Sequence, residues 1–318
     1  MKNSIWLPAV LLGILFLIAG ATASAEVIAN HTTTHLSDIP LSAITSAKEN
    51  LHIAYWHSSH GSQITTGMTG LTSFPGAPYA GSNYAYNAGG TNEALDLREP
   101  AVVDLGTASW PTITRDYLAN HPNVNVVMWS WCGQVSTSTY TSISTYLNQM
   151  NQLETEYPDV RFVYMTGHLD GSGPQGNLNV RNQQIRNYVR AHNKTLYDFA
   201  DIESYNPDRV NYLIRNATDG CNYDKNNDGR TTQSTTDPAL PINGDGNWAT
   251  EWQGTHTQGT DWYSCTAAHT QALNANRKAY AAWWLWARLG GWTPGNAPVA
   301  SFTANVTAGT APLPVRFT

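Results

Sequence analysis

Residues 51–63 read LHIAYWHSSHGSQ. The stretch opens as an apolar run, Ile53, Ala54, Tyr55 and Trp56, with the β-branched and aromatic character of a buried strand. It then breaks into imidazoles and hydroxyls: His57, Ser58, Ser59, His60, Gly61 and Ser62. Open α/β sheets place their ligands outside the carboxyl ends of the strands. A strand ending in such a cluster therefore predicts both a fold class and a place for chemistry.

Working outward, the same pattern returns. Residues 124–131 (VNVVMWSW) predict a second buried strand, ending in Cys132-Gly133-Gln134. Residues 160–166 (VRFVYMT) predict a third, ending in Gly167-His168-Leu169-Asp170, and residues 194–200 (KTLYDFA) a fourth. Between them, residues 141–157 and 178–192 carry apolar side chains at helical spacing. Residues 111–120 predict a short helix, and 266–289 a long Trp-rich one stopped by Gly290-Gly291. Strand alternating with helix predicts a mainly parallel sheet with helices on its faces. Residues 62–100 and 204–262 are rich in Gly, Pro, Ser and Asn and read as long loops.

Composition bounds the partners. Of 318 residues only 13% are charged, against about 25% in ordinary soluble domains. The formal net charge of -6 leaves no basic stripe to neutralise phosphates, which excludes nucleic acid as the expected partner. Twelve Trp and abundant hydroxyls suit a secreted or surface protein that meets sugars. At the N-terminus, Lys2 precedes an apolar run over 5–19 and the small residues Ala23-Ser24-Ala25. That order of basic, apolar and A-x-A segments predicts a signal peptide over 1–25. In an oxidising compartment three cysteines suggest one disulfide, for which Cys221 and Cys265, flanking a polar segment, are the expected pair. Cys132, ending an apolar run, reads as a small buried hydrophobe.

Within the rim, Ser59 is the candidate nucleophile, a hydroxyl at a strand end with Gly61 behind it. A serine needs an imidazole within reach and N–H donors for the oxyanion. His269, at the head of the last predicted helix, is the candidate base. The Gly89-Gly90 turn is a candidate source of N–H donors. His57 and His60 also admit a rival role as metal ligands, with His168, Asp170 or His269 completing the set. Residues 224–229 (DKNNDG) fit the D-x-[DN]-x-[DN]-G loop that wraps Ca²⁺, through Asp224, Asn226 and Asp228. Thr235 stands where the bidentate acid is expected, so Asp237 is the substitute considered.

The combination of His57-x-Ser59-x-Gly61, Trp131-Cys132-Gly133-Gln134 and His269-x4-Asn274 before a Trp-rich helix resembles divergent SGNH/GDSL-type hydrolases over residues 26–292. The resemblance implies a three-layer α/β/α sandwich of flavodoxin-like type with a mainly parallel sheet. It implies a serine esterase with Ser59 as nucleophile and His269 as base, acting on acyl esters of carbohydrate or cell-envelope molecules. Gly89, Gly90, Gln134 and His57 would contact the oxyanion or substrate. The family's Gly-Asp-Ser reads His57-Ser58-Ser59 here, and Thr266 replaces the usual acid three residues before the histidine. Asp261 is then the candidate acid, with Asp170 as the alternative. Structural Ca²⁺ is the expected cofactor, and catalysis is expected to need none. Beyond a linker at 293–297, residues 298–318 (PVASFTANVTAGTAPLPVRFT) resemble the opening strands of a PKD module, an immunoglobulin-like surface domain. A module of that kind, present here only in part, would serve envelope association. A non-catalytic, glycan-binding surface protein on the same fold is the alternative expectation.

Overall fold

The computed structural model describes residues 26–229 and 245–295. The expected signal peptide, the PKD-like tail, and Thr235 and Asp237 lie outside them. Seven strands form one sheet: β1 (Val27–Ala29), β2 (His52–Trp56), β3 (Tyr86–Asn87), β4 (Leu95–Arg98), β5 (Val126–Trp129), β6 (Arg161–Met165) and β7 (Thr195–Tyr197). Their spatial order is β1-β7-β6-β5-β2-β4-β3, and each neighbouring pair is parallel. From β2 the chain builds outward in both directions, to β4 and β3 on one side and to β5, β6 and β7 on the other. The order therefore reverses beside β2, which makes the β2–β5 boundary the topological switch point of the sheet.

Helices flank this sheet in two groups, consistent with a three-layer sandwich. The helices are α1 (Leu41–Asn50), α2 (Ser62–Leu71), α3 (Trp110–Asn120), α4 (Tyr140–Glu156), α5 (Asn177–Ala191), α6 (Phe199–Glu203), α7 (Trp248–Gln253) and α8 (Ala272–Leu289). Contacts link α8 to α1, α2 and α6, and link α4 to α3 and α5. The central strands are apolar on both faces, as a covered parallel sheet requires: Ile53 to Trp56 and Val126 to Trp129 are all buried. Trp56 and Trp129, cross-strand partners, stack at 4.6 Å. Trp283 and Trp286 of α8 are fully buried, so much of the tryptophan content is core. Among the described residues no helix is long and apolar enough to cross a membrane.

The structure corrects the reading of residues 62–100 as loops. That stretch holds α2 and β4, together with the two residues of β3. Helix α2 (SQITTGMTGL) is rich in Thr and Gly, which form helices poorly in isolation. Its helix is made by burial instead: Ile64, Met68 and Leu71 are fully inaccessible. A Cβ on Gly67 would strike the Ala275 carbonyl, so only glycine lets α2 lie this close to α8. The long C-terminal helix begins at Ala272, six residues later than its sequence suggests. His269 therefore sits on the approach to the helix, in a left-handed conformation (φ 63°).

The expected Cys221–Cys265 disulfide is absent: all three cysteines are free thiols. Cys221 contacts Thr270 Oγ1 at 3.6 Å, whereas Cys265 lies 3.7 Å from Asn276 Nδ2. Burial pushes these thiols up, Cys221 to about 12 and Cys265 to about 11. Both behave as packed apolar groups.

Candidate functional site

Strand β2 delivers the chain to the rim at His57, and residues 58–62 turn directly into α2, with Ser62 N–H donating to Ser58 O at 3.0 Å. Gly61 is required in that turn because a Cβ there would collide with Ser130, just past β5. Strand β5 continues by one more bond, Ser130 N–H to Trp56 O, and Trp131 then donates through Nε1 to Met165 O at 2.9 Å. These contacts fix the two strand exits side by side. They bring His60 against Cys132.

The contact is close. His60 Nδ1 lies 3.2 Å from Cys132 Sγ, and His60 Nε2 lies 3.0 Å from Asp219 Oδ2. The imidazole thus bridges a thiol and a carboxylate, one on each ring nitrogen. Asp219 is held from several sides. Its N–H donates to Leu169 O, its carbonyl accepts from Thr270 Oγ1 at 2.6 Å, and its second carboxylate oxygen accepts from Gly220 N–H. Burial draws the His60 pKa down, and nearby His168 adds to this against the pull of Asp219. Burial alone would raise Asp219, but the His60 hydrogen bond and the two neighbouring imidazoles outweigh it and hold the carboxyl low. A neutral imidazole beside an ionised carboxylate is the state such a base requires.

Two further histidines stack on His60. His168, from the end of β6, lies 3.7 Å away between ring centroids, and His269 lies 4.5 Å away. Ser59 Oγ is 3.7 Å from Cys132 Sγ, so the hydroxyl shares the rim with the thiol. The N–H groups of Ser59, His60 and Gly61, at the head of α2, form no hydrogen bond among the described residues. Helix N-termini of this kind attract negative charge.

The other sequence candidates take different places. Ser59 and His269 both border His60, but no hydrogen bond joins them to each other. Asp261 accepts from Thr257 N–H in an exposed turn and makes no hydrogen bond to His269. Asp170 accepts from the Ser172 hydroxyl and N–H. Gln134 is committed on both sides of its amide: Oε1 accepts from Cys132 N–H at 2.8 Å and Nε2 donates to Asp104 Oδ1 at 2.9 Å. Asp104 also accepts from Ser58 Oγ, which ties the β2 and β5 exits together. Gly89 N–H is spent on Asp96 Oδ1, and Gly90 N–H on Asn87 O. His57 pairs with Glu99 at 2.6 Å, a hydrogen bond that lowers the Glu99 carboxyl.

Behind the rim lies a buried charged network. Lys278 of α8, fully inaccessible, donates to Glu203 Oε1 at 2.5 Å and to Gln63 Oε1. Gln63 Nε2 donates to Ala268 O at 2.6 Å, and Glu203 Oε2 accepts from Leu169 N–H at 2.8 Å. The network therefore grips the backbone next to both His269 and His168. Burial lowers the Lys278 amine, but Glu203 opposes that shift.

Residues 224–229, the stretch with the D-x-[DN]-x-[DN]-G pattern, fold back on themselves. Asp224 accepts from the N–H groups of Asp228 and Gly229, and Asn226 Oδ1 accepts from Asp228 N–H. Asp245 converges on Asp224 and Asp228, with one oxygen from each within 4.8 Å of the others. Partial burial and those two neighbouring charges push the Asp245 carboxyl up.

The sequence reading of Cys132 as a small buried hydrophobe is corrected, since the thiol is only partly buried and meets His60 at the rim. Asp219, Asp245 and the Lys278 network carry no sequence signal. For Cys132 a signal existed, because it follows a central strand as Ser59 does, at the same rim. Asp219 and Asp245 lie in polar loops whose path no local pattern specifies. No protein-family model and no curated protein matches this chain, so the chemistry rests on its own residues.

Proposed function

We propose that this chain is an acyl hydrolase that works through a thiol, with Cys132 as nucleophile, His60 as base and Asp219 as the acid that orients the imidazole. The observation that carries the reading is His60, 3.2 Å from the sulfur and 3.0 Å from the carboxylate, at the switch point of the sheet. Nucleophile, base and orienting acid are recognised by geometry and role, whatever their order in the chain.

In the reaction, His60 Nδ1 takes the proton of the Cys132 thiol, and the thiolate attacks the acyl carbon. The collapsing intermediate expels the alcohol, which leaves with the proton from Nδ1. A water then gives its proton to Nδ1 and attacks the thioester, releasing the acid and restoring the thiol. Throughout, Nε2–H stays on Asp219. The free N–H groups at the head of α2 stabilise the oxyanion. Ser59, beside the sulfur, contacts the acyl group or the departing oxygen.

Strand order β7-β6-β5-β2-β4 supports an SGNH-like, flavodoxin-type arrangement of this core. On that resemblance the substrates are acyl esters of carbohydrate or envelope molecules, the protein is exported, and Ca²⁺ rigidifies the loop at Asp224, Asn226, Asp228 and Asp245. A serine reading retains one observation in its favour, the shared rim of Ser59 with Cys132, and it would use His269 or His60 as base. Hydrolysis of a p-nitrophenyl acyl ester separates the readings. Cys132→Ala and His60→Ala are expected to lose on the order of 10²–10⁴ in rate, with Ser59→Ala losing far less. Full activity in Cys132→Ala with none in Ser59→Ala would select the serine. Glycan binding by a wild type without any hydrolysis would select the non-catalytic alternative.

A further inference from the structure

Among the described residues, two groups of side chains converge closely enough to hold a metal ion. One is the acidic loop already discussed. The other is His60, Asp219 and His269, a buried imidazole, a partly buried carboxylate and an exposed imidazole. We infer that these three residues bind a divalent transition metal such as Zn²⁺, and that the metal-bound and thiol-active states of the site exclude one another.

The donor set decides the class of ion. Two imidazoles and one carboxylate suit Zn²⁺, Co²⁺ or Ni²⁺, and a hard cation such as Ca²⁺ would prefer oxygens alone. One ligand atom from each residue lies within 4.8 Å of the others. Ligands on a common ion at about 2.1 Å are at most about 4.2 Å apart, so binding needs a small closure together with a turn of the His269 ring, which lies stacked on His60. His269 is placed to make it, being exposed and carried on a short segment outside helix α8. Three protein ligands leave a position for water, as in open zinc sites.

Mutual exclusion follows from the imidazole. His60 Nε2 is the nitrogen that faces Asp219, and it is the one a metal shared with Asp219 would take. A neutral ring bound through Nε2 must carry its single proton on Nδ1, the nitrogen facing Cys132. The proton moves from one nitrogen to the other and the ring keeps the same number. Nδ1–H then donates to the sulfur, the outer hydrogen bond a metal-bound histidine normally makes. In that state Nδ1 has no lone pair with which to deprotonate the thiol. Metal binding needs only the three side chains, whereas inhibition rests on the role of His60 as base proposed above.

The test titrates the full chain, freed of metal by chelation, with Zn²⁺ by calorimetry in excess Ca²⁺. Wild type and Cys132→Ala should bind one ion with similar affinity. His269→Asn, which keeps a residue tolerant of the left-handed backbone, should bind on the order of a thousandfold more weakly, beyond the roughly 10–100-fold that loss of an outer-sphere partner costs. A metal-free melting curve like that of wild type confirms that this variant folds. Equal affinity in His269→Asn, or loss of binding in Cys132→Ala, overturns the site. Ester hydrolysis is read in parallel: Zn²⁺ should inhibit wild type reversibly, with the inhibitory concentration raised in His269→Asn by the same factor as the affinity. Normal zinc binding without inhibition would overturn the exclusion, and with it the role of His60 as base.

Discussion

At the scale of single residues, Cys132 differs from the other thiols by its neighbour. Cys221 and Cys265 are pushed up by burial, while Cys132 meets an imidazole whose own pKa burial has drawn down. Iodoacetamide at neutral pH should therefore label Cys132 first, with Cys221 and Cys265 reacting only after denaturation. Peptide mapping reads the order, and equal labelling of all three would contradict it. The lowered His60 pKa also fixes a pH limit. The base is active when neutral, so the acidic limb of kcat/KM should fall below pH 6.5, the ordinary value for histidine. A limb centred above pH 7 would show a protonated-state-stabilised imidazole and contradict the burial seen here. The sequence made Ser59 conspicuous and Cys132 inconspicuous for one reason. Serine after a strand suggests chemistry by type, whereas cysteine after a strand is as readily core, and only the arrival of His60 distinguishes the two.

Elements fold where their own pattern is strong and surprise where it is weak. The buried strands at 53–56, 126–129 and 161–165 and helices α4 and α5 are plain in the sequence because apolar residues recur at the right period. Helix α2 is not, because Thr and Gly dilute its pattern and its partner α8 lies two hundred residues away. That dependence makes the α2–α8 contact fragile. Gly67→Ala should cost about 1–3 kcal/mol, as overpacking does, measured by urea denaturation. The Lys278–Glu203 pair ties α6 to α8 at 2.5 Å in full burial. Lys278→Met leaves an uncompensated carboxylate and should destabilise by about 3–5 kcal/mol. Lys278→Met with Glu203→Leu should recover much of that loss, since a hydrophobic replacement of both partners is often near neutral. The acidic loop makes its own prediction. Ca²⁺ should raise the melting temperature of wild type and leave Asp224→Ala unmoved, and equal shifts in both would remove that loop as the site.

At the scale of the whole molecule, acid is the expected route to unfolding. Asp96, Glu99, Asp201 and Asp219 all have carboxyls held below their ordinary values of 3.8 for Asp and 4.5 for Glu by partners in the fold. Depressed folded values mean that their stabilisation is complete above those ordinary values and is lost as pH falls through the folded ones. Lowered His60 acts in the same direction, from pH 6.5 downward, because the unfolded chain takes its proton first. Stability should therefore fall progressively from about pH 6 and steeply below pH 4, which a series of denaturant melts would show. A flat profile to pH 3 would contradict it. The architecture itself was legible: strand alternating with helix, and strand ends that turn polar on one rim. What stayed hidden was which loop crosses that rim, because the path of residues 217–221 is set by long-range contacts such as Asp219 N–H to Leu169 O.

Gln63 reaches Ala268 and Lys278 across 205 and 215 positions of the chain. The rim is thus complete only when the last helix has docked on the second. Contacts so distant in sequence form late, since the entropy of closing the intervening chain must be met first. A chain still emerging from the ribosome can pair β2 with β5, but Asp219, held by Thr270 at the approach to the last helix, reaches His60 only as folding ends, so the imidazole is oriented last.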